Sequence, residues 1–201
     1  MTLVERIAAA RAAECEGEWD AALAQYEAAF AALVAGGTAA DAADLFRWIG
    51  SVHRLRGDTE RAEEAYEASL AVAQCARLPF QMASALNCLG ILVQFQGASE
   101  LAESYYSQAR TYASQAQDER IAAIIDQNLG TLASIRGNVG LAIASYESAL
   151  SRFRRIDDTS SVISSLNISA WRTVIRASGR RRSAASTKRA SSVTSCATPC
   201  S

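Results

Sequence analysis

Proline is almost missing from this 201-residue chain, standing only at Pro79 and Pro199. Val, Ile and Thr do not gather into strand-like runs, so little interrupts helix and little favours sheet. No apolar run approaches the roughly 20 residues of a membrane-crossing helix. The opening stretch, MTLVERIAAARAAECEGEW, sets Glu5, Arg6 and Arg11 among its apolar residues, unlike the apolar centre of a secretion signal. A soluble cytoplasmic protein is the expectation. Histidine occurs once, at His53, and the five cysteines (Cys15, Cys75, Cys88, Cys196, Cys200) contain no CxxC pair. A zinc cluster or a disulfide framework would need closer or paired spacing. Cys15, Cys75 and Cys88 read instead as small apolar fillers of helices. No glycine-rich phosphate loop and no HExxH motif occurs. The acidic runs Glu60, Glu63, Glu64, Glu67 and Glu100, Glu103 have the spacing of solvated outer helix faces, not of a catalytic carboxylate pair. No cofactor, no metal and no enzymatic activity are expected.

What is present is a repeat. The segment LNCLGILVQFQGASELAESYYSQA carries Leu89-Gly90, Gly97, Ala102, Tyr106 and Ala109. Forty residues earlier stand Ile49-Gly50, Gly57, Ala62, Tyr66 and Ser69, and forty later Leu129-Gly130, Gly137, Ala142, Tyr146 and Ala149. Ala9-Ala10, Gly17, Ala22, Tyr26 and Ala29 keep the register at the start of the chain. A constant period with constant internal spacing marks a repeat array. Within a repeat, Leu86, Leu89, Gly90 and Val93 form one buried helical stripe, and Ala102, Tyr106 and Ala109 form a second. Gly97 between them is placed as a left-handed helix end, with Ser99 as the cap of the next helix; Gly57-Asp58 and Gly137-Asn138 repeat the device. The spacing predicts helices near 3–16, 18–34, 39–56, 59–76, 80–96, 99–116, 119–136, 139–154 and 160–176. Gly50, Gly90 and Gly130 lie inside helices, where glycine costs about 0.5–1 kcal/mol against alanine. Their recurrence implies close approach of the paired helix, with the tyrosines filling the space beside Ala62, Ala102 and Ala142.

Charge is divided along the chain. All 21 acidic residues lie at or before Asp158, against 13 arginines there, whereas 159–201 hold seven basic residues and no acid. Repeats are placed at about 3–42, 43–82, 83–122 and 123–162, with a partial fifth at 163–176 whose Leu166, Ser169, Ala170 and Thr173 keep the frame. The segment 177–201 is basic, Ser/Thr-rich and of low complexity, the composition of a disordered tail. Without interleaved aromatics it is a poor reader of nucleic acid. The array ends without a polar capping helix, so the expectation is either that the tail covers that open end or that the chain is a truncated or frame-altered piece of something longer, with self-association through that end as a further expectation.

These residues resemble the tetratricopeptide repeat: an aliphatic-glycine pair, then glycine, alanine, an aromatic and alanine. The period of 40 is similar to the extended variety of bacterial signalling regulators and kinesin light chains. Heavy use of Ala, and of Arg over Lys, has the look of a GC-rich bacterial genome. The resemblance implies an all-α, right-handed solenoid of antiparallel helix pairs, whose first helices line a concave groove for an extended peptide or partner helix. The groove stripe falls at Arg11, Arg47, Ser51, Arg54, Asn87, Ile91, Gln94, Gln127, Thr131, Asn167 and Trp171. Asn87, Gln127 and Asn167 recur every forty residues. An amide carries a donor and an acceptor and can pair with both groups of a peptide backbone. Family members that bind peptides use asparagine this way; bonding between neighbouring helices is the alternative. Arg47 and Arg54 could hold a ligand carboxylate, with Asp44 and Glu14 as competing partners. Trp19, Trp48 and His53 read as packing residues. The function expected is a non-catalytic protein- or peptide-binding scaffold in signalling. The alternative is a sensor segment of a larger bacterial regulator or enzyme whose effector domain is missing.

Overall fold

The computed structural model describes residues 1–33 and 36–156. Eight helices follow one another among them: α1 (Leu3–Glu16), α2 (Trp19–Leu33), α3 (Ala39–Arg56), α4 (Thr59–Cys75), α5 (Pro79–Phe95), α6 (Ser99–Ala116), α7 (Glu119–Ile135) and α8 (Val139–Arg155). The helix expected at 160–176, the partial fifth repeat and the 177–201 tail lie outside the described residues.

Local chemistry accounts for the helix ends. Gly17, Gly57, Gly97 and Gly137 all sit in the left-handed region, with φ of 78, 83, 84 and 73°, which glycine adopts without a Cβ penalty. Thr2 and Thr38 open α1 and α3 with capping boxes to Glu5 and Asp41. Asp58, Asp118 and Asn138 cap α4, α7 and α8 by accepting from Arg61, Ile121 and Leu141 backbone N–H groups. Pro79 occupies the first turn of α5. Ser99 departs from the expected pattern: Ala98 is the N-cap of α6 and makes no side-chain bond, so Ser99 is already inside the helix.

Packing is strongest within the pairs α1/α2, α3/α4, α5/α6 and α7/α8, and each pair then stacks on the next. The odd helices also touch one another, α3 with α5 and α5 with α7, whereas the even helices make no comparable contact. The odd helices therefore crowd along the inner face of the array, and the even helices splay along the outer one.

The core repeats as the sequence does. Ala22, Ala62, Ala102 and Ala142 are fully buried, as are Tyr26 and Tyr106, and Tyr66 and Tyr146 nearly so. The rings of Tyr66, Tyr106 and Tyr146 each lie against the glycine of the partner helix. A Cβ built on Gly50, Gly90 or Gly130 would fall 2.7, 2.6 or 2.8 Å from the ring of Tyr66, Tyr106 or Tyr146. This is the close approach that offsets the cost of glycine within a helix. Two cysteines do not behave as fillers: Cys15 and Cys75 are exposed at the ends of α1 and α4, and only Cys88 is half-buried. No helix among the described residues is long and apolar enough to cross a membrane.

Candidate functional site

The inner face is built from three helical rows set off from the glycine stripe by −3, +1 and +4 residues. In α3 these are Arg47, Ser51 and Arg54; in α5 they are Asn87, Ile91 and Gln94; in α7, Gln127 and Thr131 occupy the first two. All are half-buried except Asn87, which is buried. Asn167 and Trp171 lie outside the described residues.

Several of these side chains also serve the scaffold. The Tyr66 hydroxyl donates to Ser51 Oγ at 3.3 Å, and the Tyr106 hydroxyl donates to Gln94 Oε1 at 2.9 Å. Tyr146 Oη and Thr131 Oγ1 share a hydrogen bond of 3.2 Å. In the first pair the Tyr26 hydroxyl donates to Glu14 Oε1 at 2.5 Å. Each repeated ring therefore ties its polar end to the inner face, alternately four and one residues beyond the position of Ala10, Gly50, Gly90 and Gly130. Burial pushes the phenols of Tyr66 and Tyr106 up, so both remain protonated donors.

The amides divide in the same way. Asn128 Nδ2 donates to Asn87 Oδ1 at 2.8 Å across the α5–α7 contact. With Asn87 only 6% exposed, one of its polar groups is spent on neighbouring helices. Gln127 is half-buried one residue before Asn128.

Charge concentrates at the α1–α3 end. Trp48 stacks on Tyr26 with ring centroids 5.9 Å apart. The guanidiniums of Arg11 and Arg47 lie over the Trp48 ring, 5.5 and 5.4 Å from its centroid. Arg47 also donates to Asp44 Oδ1 at 2.9 Å, the competing partner expected from the sequence. Burial pushes the Cys88 thiol up against the opposing pull of Arg47 and Arg54. A thiol held protonated is a poor nucleophile. His53 sits on the far side of α3, half-buried, with Nδ1 3.7 Å from Asp58 Oδ2. No group of three or more metal-ligating side chains occurs among the described residues.

Sequence reasoning passed over one row. Leu55, Phe95 and Ile135 recur every forty residues, each four positions after Ser51, Ile91 or Thr131, and are 51, 76 and 63% exposed. The forty-residue period itself was the available signal. A depression of about 730 Å³ opens between Gly97–Glu103 and Arg136, at the turn end of the helices and not on the inner rows.

No protein-family model and no curated protein matches the chain. Solved structures do. BtubC (BKLC) from P. vanneervenii is similar over 96% of this chain and 80% of its own, at 20% identity and a TM-score of 0.67. The Rap conjugation gene regulator of plasmid pLS20, in complex with the Phr peptide, matches over 73% of this chain at 17% identity and a TM-score of 0.63. This chain covers 41% of that regulator's length. The putative kinesin light chain of Podosopora anserina, with nearly identical TPR-like repeats, matches over 76% of this chain and 75% of its own, at 14% identity and a TM-score of 0.59. At such identities the likeness speaks for the fold: an all-helical solenoid of the tetratricopeptide-like kind.

Proposed function

From a tetratricopeptide-like solenoid, we propose that the chain is a non-catalytic module holding a segment of a partner protein along the inner face of its odd helices. The observation that carries the reading is the continuity of that face. It runs from Arg11 and Trp48 through Arg54, Ile91 and Gln94 to Thr131, half-buried or exposed throughout, and mixes guanidinium, amide and aliphatic groups. A long shallow surface of this kind suits an elongated ligand better than a small metabolite, which needs a concave pocket. The protonated Cys88 thiol and a lone, half-buried His53 supply no nucleophile–base pair, in keeping with a binding role. The peptide-bound Rap regulator adds support at the level of fold.

Panning a random peptide library against the chain tests the reading. Enriched peptides should bind Ile91→Lys and Arg47→Glu variants at least about tenfold more weakly, a loss of about 1.4 kcal/mol, and bind an outer-face Glu64→Lys variant unchanged. No enrichment, or equal losses with inner- and outer-face variants, rejects it.

A further inference from the structure

The outer clefts between successive even helices are not filled alike. In the cleft between α4 and α6, Tyr105 of α6 is half-buried and packs against two clusters, one containing Leu86 and Val93 of α5 and the other Leu89. Leu70 of α4 packs against both as well. Burial, and after it the Glu67 and Glu63 carboxylates of α4, push the Tyr105 phenol up, so its hydroxyl lies within reach of α4.

Forty residues earlier the same frame reads Phe46, Ile49, His53 and Ala65 in place of Leu86, Leu89, Val93 and Tyr105. The ring is absent, and a depression of about 300 Å³ opens with these four residues in its lining. Arg61 and Glu64, both exposed, form its rim, and Arg61 lies 3.6 Å from Asp58. Helix α2 stands alongside: the rings of Phe30 and Phe46 are 4.7 Å apart, and Glu27, at the register of Glu67, is within electrostatic reach of His53. In the cleft between α6 and α8, Ser145 takes the register of Tyr105, and there Ile143 packs against Ala133, the counterpart of Val93 and His53.

A volume of this size is at the small end of ligand sites, which begin at about 300 Å³. It has room for one ring, but with an exposed rim it lacks the enclosure that holds a free metabolite. Its walls are mainly apolar, and a carboxylate stands where Tyr105 has Glu67, which favours a phenol over a plain benzyl ring.

We propose that the cleft between α2 and α4 receives a tyrosine side chain of a partner protein, seated on Phe46, Ile49 and His53 over Ala65, with its hydroxyl donating to Glu27. The filled cleft one repeat later is the template for this seat. Phe46, Ile49 and His53 lie off the rows of Arg47, Ser51 and Arg54, so the site is separate from the inner face and does not depend on what binds there.

His53 is the only histidine of the chain, so its imidazole gives a single proton NMR signal within the cleft. The full chain is titrated with N-acetyltyrosinamide and with N-acetylphenylalaninamide. The tyrosine probe should shift the His53 signal saturably, and the phenylalanine probe should bind about tenfold more weakly, the loss of one hydrogen bond to a charged acceptor. Replacing the exposed Glu27 in Glu27→Gln should remove most of that preference. Ala65→Tyr supplies the ring from within; it should melt at or above the wild-type temperature and bind neither probe. Ile91→Lys, on the inner face, should bind the tyrosine probe as wild type does. Absence of a saturable shift, equal affinity for the two probes, binding that survives Ala65→Tyr, or an Ala65→Tyr chain that melts below wild type each overturns the proposal. Micromolar binding of p-cresol overturns the partner protein as the source of the ring, in favour of a free phenol. A dimer in sedimentation that Ala65→Tyr dissociates overturns it in favour of a second copy of the chain.

Discussion

The ring of Tyr106 lies so close across Gly90 that a Cβ on that glycine would fall 2.6 Å from Cε1 and 2.7 Å from Cδ1. Tyr106 is fully buried, and its hydroxyl is tied to Gln94, so the ring has no open space into which to withdraw. Two effects of opposite sign meet at this position. Replacing a mid-helix glycine by alanine ordinarily gains about 0.5–1 kcal/mol of helix propensity. Overpacking a filled interior costs about 1–3 kcal/mol. Gly90→Ala should therefore destabilise the chain in urea unfolding, and Gly90→Ala with Tyr106→Phe should remain below wild type, because the ring and not its hydroxyl makes the clash. A stabilised Gly90→Ala would show that the ring shifts freely.

That contact was legible in advance because it repeats. Gly50 with Tyr66 and Gly130 with Tyr146 carry the same spacing, so periodicity pointed to helix pairing and to which face is inside. The left-handed glycines were equally plain. The site was less so, because a side chain's periodicity does not tell whether it faces a ligand or a neighbour. Ser51, Gln94 and Thr131, read from the sequence as groove residues, each bond a tyrosine hydroxyl. Asn87 bonds Asn128, a residue in the adjoining row whose role depends on how one pair stacks on the next. Cys15 and Cys75 were misplaced for a related reason: both stand in the last turn of their helices, where the packing stripe has already left the core.

The Asn87–Asn128 bond separates a scaffold role from a ligand role. Removing either partner leaves a polar group of the other unmatched, so each alanine variant should lose stability and the double variant should lose less than the sum. A coupling of about 0.5–1.5 kcal/mol is expected from a neutral hydrogen bond. A double-mutant cycle with zero coupling would return Asn87 to the ligand alone.

Asp126 presents a larger stake. It is 4% exposed, accepts from Ser148 Oγ at 2.7 Å and from Arg152 Nε at 3.0 Å, and joins α7 to α8. Arg152 continues to Glu119 at 2.7 Å, which Arg155 also reaches. The Glu119 carboxyl is held below its usual range, chiefly by the hydrogen bond from Arg152. Arg152→Ala strands the buried Asp126 carboxylate and should cost about 3–5 kcal/mol, whereas Asp126→Leu with Arg152→Leu removes both charges and should cost much less. Chemical unfolding of the two variants decides the matter; equal losses would mean that the pair stabilises by attraction alone.

His53 makes the stability of α3 and α4 depend on pH. Its Nδ1 is buried without a hydrogen-bond partner, and Asp58 Oδ2 at 3.7 Å is too far to supply one. Burial is the largest influence and lowers the pKa of His53 below its ordinary 6.5. Asp58 and Glu27 pull upward, while Arg61 and Arg56 push downward, leaving the balance with burial. The unfolded chain therefore takes up a proton at a pH where the folded chain resists it. Stability falls as the pH drops below 6.5 toward the lowered folded value, and above 6.5 this contribution is flat. Asp41 and Glu119, whose carboxyls are held low by Thr38 and Arg152, act in the same direction only at more acidic pH. Melting temperatures of wild type and His53→Gln, measured from pH 7.5 to 5, separate the two sources. The wild-type value should decline across this interval and that of His53→Gln should stay nearly level; parallel declines would show that the imidazole takes its proton as readily folded as unfolded.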